Sequence, residues 1–304
     1  MILGIDIGAT KTRVGFIERE TLVKSKSIGT NKDPERFLRD LSDLIEEFLG
    51  GKIKELSGIG IGAPGPLDPS SGAFGELPNL PLWNGFSIKS RIENLYSVPA
   101  FLQNDANVAT LGEALYGGGR GSKYVCYITI STGIGAGFAI DKRIVEGKNN
   151  LAGEIWALTV DNLGQSDILL NACSGPGIVR NSKRLIDNGE ESSLSTLDRI
   201  ETKDVFNHAF NGDKVSKKVI ENAWENMAIA IEIILVTLDP DIVLLGGGLC
   251  FEEKFMVDPV RERVYKRVFL ETHKNTPVKR SDLWNEAVIY GAIALAQQSN
   301  GKIA

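Results

Sequence analysis

The stretch Ile2-Leu-Gly-Ile-Asp-Ile-Gly-Ala-Thr-Lys-Thr12 decides how the rest of this chain is read. A short apolar strand carries one acid, Asp6, and breaks into Gly8-Ala9-Thr10-Lys11-Thr12 before a second strand resumes over residues 14–17. A tight turn with a glycine, two hydroxyls and a lysine offers backbone N–H groups and a cation to an anion, and phosphate is the usual one. Asp6, on the strand just before the turn, is placed to meet a metal ion accompanying that phosphate. Alone, the same residues also describe a hairpin that binds nothing.

The opening pattern returns further on. Residues 124–130 read as a strand, Ser131-Thr132-Gly133-Ile134-Gly135 as a glycine-hydroxyl turn, and residues 136–140 as the return strand, with Gly137-Phe138 aligning on Gly15-Phe16. Two phosphate-type hairpins, one in each half, suggest an internal duplication with a ligand between the halves. Between them, residues 34–49 predict a helix with Phe37, Leu41, Leu44 and Phe48 on one face. A strand over 56–62 ends in Ala63-Pro64-Gly65-Pro66, and a Pro-, Gly- and Asn-rich loop over 68–85 carries Trp83. Irregular segments of that length tend to be functional. A strand over 100–102 leads through Gln103-Asn104-Asp105 into a helix over 106–116. Later, 189–198 reads as a surface loop and 219–238 as a buried helix stopped by Asp239-Pro240-Asp241. The strand over 242–245 ends in Gly246-Gly247-Gly248, where a flat ligand can lie against bare backbone. A last helix over 286–298 has Gly291 and several alanines for close packing.

At 304 residues the chain has room for two domains, expected over 1–116 and 117–304, with the last helix packing back on the first. Net charge is −5, from 34 basic and 39 acidic residues, with no basic run, which argues against a nucleic-acid partner. The longest apolar stretch, 227–238, is interrupted by Glu232 and is too short to span a bilayer. The first strand begins at Ile2, which leaves no room for a signal peptide or an N-terminal DNA-binding domain, and a cytoplasmic location is expected. Cys126, Cys173 and Cys250 are isolated and read as core thiols. His208 and His273 lie in polar surroundings and are expected at the surface, so a catalytic base must come from elsewhere.

Several separate pieces together resemble the ROK family of sugar kinases within the actin–hexokinase–Hsp70 superfamily. They are residues 4–12, Gly60-Ile-Gly-Ala-Pro-Gly-Pro-Leu-Asp68, Pro78-Asn-Leu-Pro-Leu-Trp-Asn84, Asn104-Asp-Ala-Asn107, Ser131-Thr-Gly-Ile-Gly-Ala-Gly137, Ala152-Gly-Glu-Ile155, Ser174-Gly-Pro176, Asp239-Pro240 and residues 242–248. The resemblance implies an α/β protein of two ribonuclease-H-like, actin-like ATPase domains with ATP and sugar in the cleft between them. It implies Asp105 as catalytic base, which suits a sugar hydroxyl attacking a γ-phosphate. The first turn of a helix favours the ionised form of such an acid. A plain alternative is that Asn104 and Asp105 only cap that helix. Gly65, Asn79, Asn104 and Glu154 match sugar-side positions. Gly8, Thr10, Lys11, Thr12, Thr132 and Gly133 would hold the phosphates, Gly247 would lie near the adenosine, and Asp6 would reach Mg²⁺ directly or through water. The implied partners are a small-molecule sugar and a second copy of the chain in a homodimer.

One departure is large. Family members usually continue Gly-Glu-Ile-Gly-His and then carry a cysteine cluster for structural zinc, whereas this chain reads Gly153-Glu154-Ile155-Trp156-Ala157. No thiol occurs over 162–172, so four N or S ligands cannot be assembled there. A zinc-free protein is expected, with the gap filled by apolar packing around Trp156. A second sugar-binding glutamate is also missing, with Leu170 near its place, which should loosen discrimination between epimers. The leading expectation is an ATP-dependent kinase of the 6-hydroxyl of glucose or a related hexose. Fructose, mannose, N-acetylmannosamine and N-acetylglucosamine are the alternative acceptors. A non-catalytic sugar-sensing protein of the same family is the alternative from another class.

Overall fold

The structure, a computed structural model, describes residues 1–301. The chain forms two compact units, one from Met1–Tyr127, Gly137–Ala152 and the chain from Ser281 on, the other from Ile128–Ala136 and Gly153–Arg280.

In the first unit, β1 (Ile2–Ile7) pairs antiparallel with β2 (Lys11–Glu18), which pairs antiparallel with β3 (Thr21–Gly29). On its other side β1 runs parallel to β4 (Gly58–Ala63). The short antiparallel pair β5 (Leu67–Asp68) and β6 (Ala73–Phe74) follows, and β7 (Ala100–Asn104) then joins parallel to β4. The sheet order is β3-β2-β1-β4-β7. Helix α1 (Pro34–Leu49) starts where Asp33 accepts the N–H groups of Glu35 and Arg36, with proline at its first position. Its face of Phe37, Leu41, Leu44, Ile45 and Phe48 joins Ile5, Ile7, Val14, Ile59 and Ile61 in one core. The loop over 68–85 is anchored to that core by Trp83, whose ring lies 4.7 Å from Phe37 and 5.3 Å from Phe74, and whose indole N–H donates to the Lys32 carbonyl at 3.1 Å. Helices α2 (Ile88–Tyr96) and α3 (Asp105–Tyr116) flank β7 in sequence.

A second five-stranded sheet contains β8 (Tyr124–Ile130), β9 (Ile134–Ile140) and β10 (Arg143–Ile144). After the hairpin of β11 (Thr159–Asp161) and β12 (Ser166–Ile168), the sheet is completed by β13 (Ile242–Gly246) and β14 (Val278–Arg280). Its order, β10-β9-β8-β13-β14, repeats that of the first sheet when strands are counted along the chain. The duplication seen in the two hairpins therefore extends to topology. The helices between are α4 (Leu169–Cys173), α5 (Gly175–Asp187), α6 (Thr202–Phe210), α7 (Lys214–Leu238) and α8 (Val257–Arg267). Val219, Ala223, Met227, Ala230 and Ile234 bury one face of α7 at three- and four-residue steps.

The last helix, α9 (Ala287–Ser299), belongs to the first unit and packs on α3, β1 and β4. The approach is close enough to require glycine. A Cβ at Gly60 would lie 1.7 Å from the Ala292 carbonyl oxygen, and one at Gly291 would lie 1.7 Å from the Val108 carbonyl oxygen. Together with α9, residues 117–127 and 137–152 also group with the first unit, so the division does not follow the cut expected after residue 116. Another expectation fails at His273, which is only 5% exposed and sits 3.4 Å from Asp239 rather than at the surface. His208 is partly buried, its Nδ1 2.7 Å from the Ser193 hydroxyl.

All three cysteines are fully buried free thiols, and burial alone pushes each well above the ordinary thiol range. Native protein mixed with a thiol-specific chromogenic disulfide at neutral pH is therefore expected to stay unlabelled, with all three groups reacting after denaturation. Rapid native labelling of even one would contradict this placement.

Candidate active site

The first hairpin builds a braced turn. Asp6 and Arg13 face each other across β1 and β2, and Arg13 Nη2 and Nε reach the same carboxylate oxygen, Oδ2, at 2.6 and 3.1 Å. The pair is largely shielded, with side chains 13% and 26% exposed. Burial pushes the Asp6 carboxyl above the usual carboxylate range, and the Arg13 charge and hydrogen bond pull it back only in part. The turn itself closes through Gly8 N–H to the Lys11 carbonyl at 3.0 Å. Thr30 braces it from behind: its N–H donates to the Thr10 carbonyl at 3.0 Å and its hydroxyl to the Gly8 carbonyl at 2.7 Å. Because that hydroxyl has one proton, the 2.8 Å contact between Thr12 and Thr30 must have Thr12 donating. Thr12 is fully buried, so its expected role at a phosphate is corrected to one of support. Thr10 and Lys11 are exposed.

Of the first-unit residues expected on the sugar side, Gly65, Asn104 and Asp105 come together at the ends of β4 and β7. Ala63 and Asn104 are register partners there. Asn104 is the N-cap of α3, its Oδ1 accepting from Ala106 N at 2.9 Å and Asn107 N at 3.4 Å. Asp105 opens the helix, half-buried, with Oδ1 accepting from Ala106 N at 2.8 Å. Gly65 lies against Asn104, since a Cβ there would meet the Asn104 Nδ2 at 3.2 Å. Asn79 stays exposed in the loop anchored by Trp83. Beneath the turn, Gln103 is buried and accepts the Asn104 N–H at 2.7 Å, a support that the sequence pattern did not single out.

In the second unit, Ser131 N–H donates to the Gly133 carbonyl at 2.8 Å, and the Ser131 carbonyl accepts from Gly175 N at 2.9 Å. This places the N-terminus of α5 beside the second glycine-hydroxyl turn. Gly247 has φ of +85° and packs on the end of β8, where a Cβ would lie 2.5 Å from the Ile130 carbonyl oxygen. A cavity of about 820 Å³ opens here, lined by Thr132, Gly175, Pro176, Val179, Leu249 and Ile200 among others. Thr132 thus lines a cavity, while Gly247, which caps the short helical turn carrying Leu249, is not among its lining residues. Val179, Ile200 and Leu249 had no motif to announce them.

Glu154 is half-buried and accepts a hydrogen bond from the Trp156 indole N–H. The expected apolar packing around Trp156 is not what fills this region. Trp156 is half-buried and Ala157 exposed, and the neighbouring hairpin is held by a polar network instead. Asn162, only 2% exposed, donates to Asp167 at 3.0 Å and accepts from Asn181 of α5 at 3.0 Å and Asn222 of α7 at 3.1 Å. Asn171 donates to Asp167 at 2.7 Å. The segment is rich in amides, each with donors and acceptors to share, and so it satisfies itself by hydrogen bonding. Among the described residues no cluster of His, Cys, Asp and Glu is arranged to hold a metal ion.

An α/β fold of two like sheets, with a hydroxyl-rich turn closing the first hairpin of each, defines an actin-like ATPase architecture. The sequence profile of the ROK family matches residues 2–299, and the chain belongs to that family. It is 29% identical to a glucokinase of Halalkalibacterium halodurans, across 98% of this chain and 96% of that protein. It is also 27% identical to a putative xylose repressor of Caldicellulosiruptor sp., across 97% of this chain and 77% of the repressor. Among solved structures, a ROK hexokinase of Thermus thermophilus superposes with a TM-score of 0.84 at 26% identity, covering 99% of both chains. A ROK glucokinase of Streptomyces griseus, in complex with glucose and AMPPNP, superposes with a TM-score of 0.80 at 25% identity, covering 98% of this chain and 99% of the other.

Proposed function

We propose that the protein is an ATP-dependent sugar kinase that phosphorylates the 6-hydroxyl of glucose or a related hexose. The observation that carries this is the Asn104–Asp105 turn, where a half-buried carboxylate heads α3 beside Gly65. In this reading the sugar hydroxyl gives its proton to Asp105 as its oxygen attacks the γ-phosphorus, and the bond to the ADP oxygen breaks. Asn104, whose Oδ1 is committed to the helix cap, would use its Nδ2 on the sugar, joined by Asn79, the Gly65 turn and Glu154.

Thr10, Lys11 and the backbone of the Gly8 turn would hold phosphates, as would Thr132 and Gly133. The cavity beside Thr132 and Leu249 would take the adenosine, with Gly247 two residues before Leu249 in the chain. Asp6 suits Mg²⁺ as a hard oxygen donor, but Arg13 already compensates its charge on Oδ2, which favours contact through water. When bound, Mg²⁺ would neutralise charge on the transferring phosphate. A cytoplasmic homodimer is the setting this reading assumes, and no helix among the described residues is long and apolar enough to cross a membrane.

The repressor relative supports a second reading, a sugar sensor without turnover. A panel of hexoses and N-acetylhexosamines with Mg²⁺-ATP, read as ADP release, separates the two. The kinase reading expects release that depends on sugar, with the highest kcat/KM for glucose and a shallow fall across its epimers. Sugar binding by calorimetry with no ADP release under any of them would favour the sensor.

A further inference from the structure

We infer that Gln103 is a positioning residue for Asp105, holding the turn that bears it through Glu146; this rests on the kinase reading. Gln103 lies near the end of β7 and is 2% exposed. Its Oε1 accepts the Asn104 N–H at 2.7 Å and is 3.5 Å from Asn107 Nδ2, while its Nε2 donates to Glu146 Oε1 at 2.9 Å. One side chain therefore touches the backbone at the cap of α3, the first turn of that helix, and a loop more than forty residues away.

The amide can sit only one way round. Turned over, its oxygen would face the Glu146 carboxylate and its NH₂ would face the Asn104 N–H, with no hydrogen bond on either side. The Asn107 side chain leans on the same group, because its own Oδ1 is buried with no partner. Glu146 is in turn fixed by its loop, whose ends meet where Ala152 N–H donates to the Glu146 carbonyl at 3.2 Å. That loop runs by sequence directly into Gly153-Glu154. Gln103 thus ties the turn carrying the proposed base to the loop that precedes Glu154 in sequence.

The test begins with sugar-dependent ADP release by the unaltered protein, which judges the kinase reading separately. Gln103→Glu keeps the shape and the acceptor but sets one carboxylate against another. Its kcat is expected to fall about 10- to 100-fold, the scale of a small misplacement of a reacting group. Nucleotide KM should hardly move. The loss should shrink as pH falls, because the introduced carboxyl, once protonated, can donate to Glu146 again. Adding Glu146→Gln to that variant restores a donor–acceptor pair of reversed polarity and is expected to recover kcat. An unchanged kcat in Gln103→Glu, or a loss that the double variant fails to recover, would overturn the proposal. Should the buried variant not fold, Glu146→Ala alters only an exposed side chain and should also lower kcat. Amide hydrogen exchange at Asn104 reads the same link without turnover: it should quicken in Glu146→Ala, and an unchanged rate would count against Gln103 whatever the activity.

Discussion

Asp105→Asn is expected to abolish nearly all turnover while leaving the protein folded and able to bind both ligands. The substitution is close to isosteric, and an asparagine oxygen can still accept the Ala106 N–H that Asp105 Oδ1 accepts at 2.8 Å. Asn104 continues to cap α3. The change removes the charge from the first helical turn, a loss of about 0.3–1 kcal/mol of stability at most. What disappears is the proposed base, since an amide cannot take the hydroxyl proton at neutral pH. General-base catalysis is worth about 10²- to 10⁴-fold, and kcat should fall by at least that much with KM for sugar and ATP little changed. If Asp105 were merely a second capping group, turnover would survive. Steady-state kinetics on the variant, beside a melting curve, decide between the two.

Gly60→Ala is expected to be among the most destabilising single changes available in this chain. The added methyl would lie 1.7 Å from the Ala292 oxygen and 2.4 Å from its carbonyl carbon. Those atoms belong to the backbone of α9, so no rotamer change relieves the clash and the helix must move off β4. The same helix also meets Gly4 on β1, where the Ile289 oxygen would be 2.7 Å from a Cβ, so a shift at one point disturbs the next. Overpacking of this kind costs about 3 kcal/mol or more. At that cost the melting temperature falls by roughly 6–12 °C. Gly29→Ala is the control, because nothing lies within 4 Å of a Cβ there. Equal melting temperatures for the two variants would refute the packing of α9 against β4.

The architecture was legible where sequence and burial obey one period. The helix over 34–49 could be read from its apolar face, and the two hairpins announced a repeat that the sheet orders then extend. Roles that depend on distant partners were not legible. Thr12 looks like a phosphate ligand in its motif, but its hydroxyl is claimed by Thr30, eighteen residues on, across the β2–β3 pair. Arg13 reads as an ordinary strand residue until register sets it opposite Asp6. His273 has polar neighbours in sequence yet is buried beside Asp239, thirty-four residues earlier in the chain. At Asn162 the absence of thiols was plain, but the amides that take over come from α5 and α7, and no local pattern joins them. The return of α9 to the first unit was expected, but the unit boundary escaped for a similar reason, since only tertiary contact groups residues 117–127 and 137–152 with that unit.

The fate of the γ-phosphate itself separates a sugar kinase from a sugar sensor or a simple ATPase. The protein is incubated with Mg²⁺-ATP labelled at the γ-position, with and without glucose or the best sugar of the panel. Label is expected in a sugar monophosphate, formed only when sugar is present and lost in Asp105→Asn. Sugar binding with no transferred label, or label appearing only as inorganic phosphate, would contradict it.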